Sequence, residues 1–541
     1  MVTWTAAAVD TEPGTLWYRF VTRGFDQPRR IVKDFGPEAS FDWAPHEREG
    51  LYLIEVTVRN RATGETAAAV VPFQATSNVT AGEPVVKETA HPLVMLYSAP
   101  PCPAGASMTV YYLLPENPLQ NAPPKRCDGV FSMNFYLAGL RPESSYFVKH
   151  IIEDRGVFTE GPVLSFVSGE APADLPVHSR FTGSPVRAEG VYLSGSLVAN
   201  FIATDLDGRL IWYYPKPMTF LTHPEAGGYF FGINLDVAGD ESRQIVRMFD
   251  LTGTTVLETN AERVNEQLEA MGRRRINGFH HEARLLSDGN ILVLAGVEQI
   301  LTDVQGPGPI NVLGDMILVL NRDLEVIWTW DTFDHLDVRR LATQNDTCMP
   351  VACPPLYLAP TANDWTHGNA VTETPEGNLL FSMRSQDWVI KIDYRRGTGS
   401  GSVLWRLGEG GDFTIVSDDP KPWFSHQHDA EYEDDGMITL FDNSNVRRAE
   451  DATAHSRGQV FQLDESRRVA RLVMNADLGG YAFALGSAEK LSDGNYFFDV
   501  GFRENATGIS VETDPQGQVV YAIEGTAPKY RTFRLKDLYN Q

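Results

Sequence analysis

One phrase returns along the second part of this chain and constrains its fold more than any other feature: a short polar start, a β-type run, a tight turn on glycine, and a second β-type run. His281-Glu282-Ala283 leads to Asp288-Gly289-Asn290 and Ile291-Leu292-Val293-Leu294, and Gly368-Asn369-Ala370 leads to Glu376-Gly377-Asn378 and Leu379-Leu380-Phe381-Ser382. The phrase comes back as His428-Asp429-Ala430 with Asp435-Gly436 and Ile438-Thr439-Leu440-Phe441. A fourth copy is Gly486-Ser487-Ala488 with Asp493-Gly494-Asn495 and Tyr496-Phe497-Phe498. Asp-Gly and Glu-Gly close hairpins because glycine enters the turn conformation without steric cost. Further strand pairs stand between the copies, such as 316–320 with 326–330, and a run at 458–463. Copies roughly sixty residues apart, with about four strands each, fit the blades of a β-propeller better than the strands of a sandwich. Six blades are expected over 186–541, with helical periodicity confined to about 261–272.

The N-terminal part reads differently. Short alternating runs, Leu16-Trp17-Tyr18-Arg19-Phe20, Ser40-Phe41-Asp42-Trp43 and the stretch 51–58, are punctuated by Gly, Pro and Asn. Such runs predict a β-sandwich of immunoglobulin or fibronectin III type over 1–76. A second sandwich is expected over 77–170, where 140–146 resembles the corner before a late fibronectin III strand. A Pro-rich linker follows at 171–185. The predicted fold class is therefore all-β: a six-bladed propeller behind two sandwiches.

A formal net charge of −25 disfavours polyanionic partners, because a phosphate backbone is gripped by clustered Lys and Arg, and nucleic acid is set aside. No stretch of about 18 apolar residues suggests a membrane span. The start, Met-Val-Thr-Trp, lacks a basic segment followed by an apolar one, so the expectation is a cytosolic chain or one that has lost an export signal. The four cysteines favour export: their spacing pairs Cys102 with Cys127 and Cys348 with Cys353, with no zinc-type partner beside either pair.

Five of the twelve histidines, His280, His281, His367, His426 and His428, stand at the entry of the repeated hairpin. The first strand of each propeller blade lines the central channel, so equivalent positions on different blades face one axis. Period-two alternation then puts His426 and His428 on one face, and His367 with Asn369 on another. A purely structural histidine would recur in every copy, yet the fourth carries Gly486. Arg384 follows the strand after His367, and Asn443, Asn445 and Arg447 follow the strand after His428. A guanidinium facing the channel suits a tetrahedral oxyanion such as sulfate or phosphate; the bland alternative is a rim salt bridge. Imidazoles with Glu282 or Asp429 offer a rival reading as a metal site, but no compact ligand spacing supports it, and neither metal nor cofactor is expected.

The motifs around His281, Asp364-Trp365-Thr366-His367-Gly368-Asn369, Met383-Arg384-Ser385, and Gln427-His428-Asp429-Ala430 with Leu440-Phe441-Asp442-Asn443 resemble those of the bacterial arylsulfate sulfotransferases. The resemblance covers 186–541. It implies a six-bladed propeller, usually periplasmic, that moves a sulfuryl group from an aryl sulfate to a phenol without the nucleotide donor phosphoadenosine phosphosulfate, through a sulfated histidine. Carried over motif by motif, His428 is the expected nucleophile, with His281, His367 and Arg384 as the other catalytic residues and Asn369, His426 and Asn443 binding substrate. The expected partners are a small aryl sulfate and a phenol, and a homodimer is allowed for. Two departures stand out: family members carry one sandwich where this chain shows two, and their short disulfide lies nearer the nucleophile than Cys348 and Cys353 do.

A neutral imidazole is a competent nucleophile near pH 7, so transfer can be split into sulfation and desulfation of His428. A cation such as Arg384 disfavours protonation of that ring, and His281 or His367 would exchange a proton with the phenol; the sequence does not choose between them. Trp365, Trp388, Phe424 and Tyr481 are candidates for an apolar mouth. Two other functions compete: a metal-dependent hydrolase or lyase, and a non-catalytic propeller that binds glycans or proteins.

Overall fold

Residues 291–297, Ile-Leu-Val-Leu-Ala-Gly-Val, are buried without alternation, which requires that both faces of their strand be covered. The computed structural model, which describes residues 1–25, 27–45, 48–183, 190–348, 353–433 and 436–539, shows why. The chain is all-β, and among the described residues from 191 onward six sheets have a four-stranded antiparallel core, beside a small two-stranded sheet of Ala482–Ala484 and Phe502–Arg503.

Sheet I joins Val191–Ser194, Ile202–Asp205 and Leu210–Tyr213 to the C-terminal strand Thr532–Leu535. Sheet II is Phe220–Glu225, Tyr229–Asn234, Ile245–Asp250 and Thr255–Asn260. Sheet III runs Gly278–Leu285, Ile291–Thr302, Pro309–Leu320 and Val326–Asp331, and sheet IV runs Gly368–Glu373, Leu379–Met383, Trp388–Ile392 and Val403–Leu407. Sheet V is His428–Tyr432, Met437–Asp442, Arg457–Asp464 and Val469–Asp477. Sheet VI is Ser487–Lys490, Tyr496–Val500, Gly508–Thr513 and Val519–Gly525, extended by His178–Gly183. The expected hairpins of the repeat are the first two strands of sheets III to VI; the turn residue Asp435 and the expected boundary at 186 lie outside the described residues.

Each sheet packs its apolar face on the next. Phe230 and Phe249 of sheet II meet Leu193 and Ala203 of sheet I, and Ile233 and Val246 meet Val293 and Leu318 of sheet III. Leu292 and Ile317 meet Phe381 and Ile390 of sheet IV, whose Leu380 and Val389 meet Leu440 and Phe461 of sheet V. Phe441 and Val460 meet Phe498 and Val511 of sheet VI, and Phe497 and Tyr521 return to Tyr192 of sheet I. The first strands of sheets II to VI also follow one another as neighbours. Full burial of one such Leu or Phe stabilises by about 1.5–3 kcal/mol, so the succession of cores holds the sheets together. The interval between the first two hairpins of the repeat exceeds the others because Thr347–Cys348 and Ala362–Asp364 insert there and add to sheet III. The expected helix is present at Ala261–Ala270, capped by the Asn260 side chain on the Arg263 N–H.

Before the six sheets, Arg30–Gly36, Leu16–Gly24, Gly50–Asn60 and Thr66–Ala75 form one sheet beside the pair Val2–Thr5 and Ser40–Trp43, around Phe20, Phe41, Trp43 and Ile54. A three-stranded and a five-stranded sheet follow between Val85 and Val167. There the Tyr146 hydroxyl accepts the Arg141 backbone N–H at 2.9 Å, closing the corner expected at 140–146. Tyr112, Tyr146 and Val148 share one core with Val191 and Leu535 of sheet I. Both expected disulfides, Cys102–Cys127 and Cys348–Cys353, are formed. Among the described residues no helix is long and apolar enough to cross a membrane.

Candidate active site

Strand alternation alone does not aim the histidines. His281 sits in a bulge where the register jumps from Phe279 to Ala283, with φ 56°. His367 precedes its strand with φ 47°, and His426 precedes His428 with φ 53°. Left-handed backbone at a non-glycine residue costs of order 1 kcal/mol, and here it turns side chains out of the period-two pattern. The expectation that His426 shares a face with His428 fails for this reason: the alternation rule needs extended backbone, and residue 426 is not extended.

The four residues expected to be catalytic come together. The His281 and His367 rings lie 5.2 Å apart, centre to centre, and His428 acts electrostatically on His281. Arg384 opens the turn Arg384–Gln386 after Met383, and its backbone N–H is tied to the His367 carbonyl at 3.1 Å. His428 is held well below the ordinary imidazole range by burial, then by the Arg384 charge. His281 is lowered by burial and then by His280, His367, His428 and Arg531.

Hydrogen bonds decide the tautomer of His428. Its Nδ1 lies 2.7 Å from Asn443 Oδ1 and 3.2 Å from the His426 carbonyl, both acceptors. The Asn443 amide cannot be reversed, because its Nδ2 donates to the carbonyls of Ala482 and Leu485. Nδ1 therefore carries the proton, and the lone pair stands on Nε2. Asn443 was expected to bind substrate; in the structure its amide oxygen meets His428 and its amide nitrogen the two backbone carbonyls.

His367 Nδ1 donates to Asp364 Oδ2 at 2.5 Å, which leaves Nε2 for the site. His426, also expected to bind substrate, is fully buried between two carboxylates: Nε2 is 3.0 Å from Asp346 and Nδ1 3.2 Å from Asp387. Burial lowers its pKa, but the two carboxylates outweigh burial and raise it. Asp346 also takes Arg384 Nη1 at 3.1 Å, so the polar contacts of His426 go to a carboxylate that it shares with Arg384. Asn369 donates Nδ2 to the Gln427 carbonyl, and among the described residues its Oδ1 has no partner.

These motifs lie inside a longer match: the arylsulfotransferase (ASST) family model aligns with residues 173–531. The chain belongs to the arylsulfotransferase family. It is thus an enzyme of the class that transfers sulfuryl groups from aryl sulfates without the nucleotide donor. No curated protein matches it. Among solved structures, a DUF4784 family protein from Bacteroides caccae ATCC 43185 aligns over 79% of this chain and 95% of its own, at 10% identity and a TM-score of 0.27, too loose to carry an argument.

Sequence reasoning missed the centre of this arylsulfotransferase. Arg531, just before the last strand, is fully buried and donates to Glu282 at 3.0 Å, the Asn369 carbonyl at 2.7 Å and the Thr222 carbonyl at 2.9 Å, with Asp429 at 3.2 Å. One guanidinium thus ties sheets II, III, IV and V. It also occupies the carboxylates of the rival metal reading. Among the described residues, the one group with metal-ligand spacing is Cys348, Cys353 and Asp364, whose sulfurs form the disulfide. Asp364 could have been noticed three residues before His367; nothing local marks Asp346 or Arg531.

Of the expected aromatic mouth, Trp365 and Phe424 are core residues, the first with its indole N–H on the Arg340 carbonyl. Trp388 is half-buried over Arg340, and Tyr481 is half-buried with its hydroxyl on Asn445. The aromatic rings beside His281 are Phe220 and Tyr530. Cavities of about 330 and 480 Å³ at the seams of the N-terminal sheets with sheets I and II share no lining residue with the histidines.

Proposed function

We propose that this enzyme moves a sulfuryl group from an aryl sulfate to a phenol in two steps, through a sulfated His428, on the axis of a six-bladed propeller at 186–541. The free Nε2 lone pair of His428, fixed by Asn443, carries the reading. Six sheets with a closed succession of cores support the propeller, and the C-terminal strand in sheet I is its clasp. The sheets over 1–76 and 77–170 serve as two sandwiches of immunoglobulin or fibronectin III type, the second with a tyrosine corner.

In the first step His428 Nε2 bonds to sulfur as the sulfur–aryl oxygen bond breaks, and the leaving phenolate takes a proton from His281 or His367. In the second step the acceptor phenol returns a proton to that histidine, and its oxygen takes the sulfuryl group from Nε2. Arg384 supplies the donors for the sulfuryl oxygens, where negative charge gathers. Its salt bridge to Asp346 uses one nitrogen and sets its direction. The two disulfides suit an oxidising compartment, the periplasm or cell exterior.

The test is intact mass after mixing with nitrophenyl sulfate in the absence of acceptor. A gain of about 80 Da, one sulfuryl group, on the peptide holding His428 is expected, discharged by phenol. Release of nitrophenolate without that adduct, and without dependence on phenol, contradicts the reading.

A further inference from the structure

His280 joins His281 to a buried set of hydrogen bonds that the transfer scheme above does not use. Its Nε2 lies 3.1 Å from Asp315 Oδ1, and its Nδ1 lies 2.9 Å from Nδ1 of His281. Asp315 is itself buried, on Pro309–Leu320, and its other oxygen accepts from the Thr366 hydroxyl at 2.5 Å and the Gly368 N–H at 2.7 Å. Oδ2 already accepts two donors and Asp315 lies below the usual carboxyl range, so it is a carboxylate whose Oδ1 accepts the proton of His280 Nε2. Burial pushes Asp315 up, but its hydrogen bonds to His280, Thr366 and Gly368 outweigh this and hold it below the usual range.

We propose, resting on the transfer reading, that His280 and Asp315 are the proton store of His281: a three-membered relay that lets this ring exchange a proton with the phenol without holding a positive charge inside the site. With His280 neutral, its Nδ1 accepts the Nδ1 proton of His281, and His281 Nε2 is a free base. When Nε2 takes the proton of an acceptor phenol, the O–H bond breaks and Nε2–H forms. The Nδ1 proton of His281 then passes to His280 Nδ1. His281 ends neutral, and the charge rests on His280 against Asp315. The reverse sequence delivers a proton to a leaving phenolate.

The surroundings of His281 give this its physical reason. It is buried, and His280, His367, His428 and Arg531 all disfavour its charged form; Tyr530, whose hydroxyl donates to the His281 carbonyl at 2.6 Å, adds no compensating anion. A lone imidazolium there is costly, whereas an imidazolium on His280 faces a carboxylate. His280 and Asp315 are thus positioning residues, and His281 is the group that touches the phenol.

His280→Gln separates the two roles. A glutamine offers an acceptor to His281 and a donor to Asp315 but holds no additional proton. In the full-length variant, transfer from phenyl sulfate, whose leaving group needs a proton, should fall about ten- to a hundredfold further than transfer from nitrophenyl sulfate, whose leaving group does not. An equal loss on both donors, or no loss on phenyl sulfate, overturns the relay. Wild-type enzyme assayed in parallel separates this from the underlying reading: if it forms the His428 adduct, only the relay is at stake. If the variant does not fold, nitrogen NMR of histidine-labelled wild-type enzyme decides. A proton on His280 Nε2 across pH 5.5–8.5, roughly a unit or more on either side of an ordinary imidazole, is expected, and an unprotonated Nε2 refutes the relay.

Discussion

Asn443 Oδ1 stands 2.7 Å from Nδ1 of His428, and that one contact decides which nitrogen of the ring can attack. Asn443→Ala removes the acceptor that selects the tautomer while the His426 carbonyl remains. The expected result is a folded enzyme whose kcat/KM for nitrophenyl sulfate falls about tenfold, the worth of a buried hydrogen bond of roughly 1.5 kcal/mol. An unchanged rate of adduct formation on His428 refutes this.

The pH profile follows from the burial of His428. A protonated ring has no lone pair, so sulfation is lost as pH falls through its pKa, and that pKa lies well below the ordinary 6.5. The acid limb of kcat/KM therefore lies below pH 6.5. Arg384 is the second cause of the lowering, so Arg384→Gln moves the acid limb to higher pH and also slows transfer by roughly a hundredfold through loss of an oxyanion donor. A limb that stays in place, or moves to lower pH, contradicts the assignment.

His426 has the opposite sign. Its pKa is raised in the folded protein by Asp346 and Asp387 against the lowering from burial. Its contribution to stability is therefore complete below the unfolded value of 6.5 and fades as pH rises through the higher folded value. The Tm difference between wild type and His426→Asn should shrink from pH 6 to pH 9, roughly the span of that titration. A difference that grows with pH reverses the proposed pairing.

Arg531→Met leaves Glu282 and Asp429 buried without their cation. Breaking such a pair from one side costs about 3–5 kcal/mol. Denaturant unfolding should show this loss, with stability partly returning at low pH as Asp429, whose pKa burial already raises, takes up a proton. A variant as stable as wild type at neutral pH means the guanidinium does not hold the sheets together.

His281, His367, Arg384 and His428 were legible because each stands in or beside a repeated hairpin, where the residue pattern marks an equivalent place in several sheets. The limit shows at His426 and Asn443. Both were read as binding substrate, and the polar contacts of both go to neighbouring side chains: His426 lies between Asp346 and Asp387, and Asn443 is hydrogen-bonded to His428. Alternation fails at residue 426 because its backbone is left-handed, and a sequence pattern that presumes extended strands does not show that. Trp365 and Phe424 lie near the motifs, yet proximity along the chain says nothing about which side of a sheet a ring takes.

The chain by itself determined the β-strand repeat, the two cysteine pairs, the kinds of side chain at the hairpin entries and the family they belong to. These are local properties, set by turn residues, apolar runs and spacing. Only the tertiary structure decided the tautomer of His428, the carboxylate behind each histidine and the place of Arg531, whose partner Glu282 lies 249 residues away. Hydrogen-bond direction depends on atoms brought together by packing, and no local pattern encodes which distant carbonyl or carboxylate will stand at a ring nitrogen.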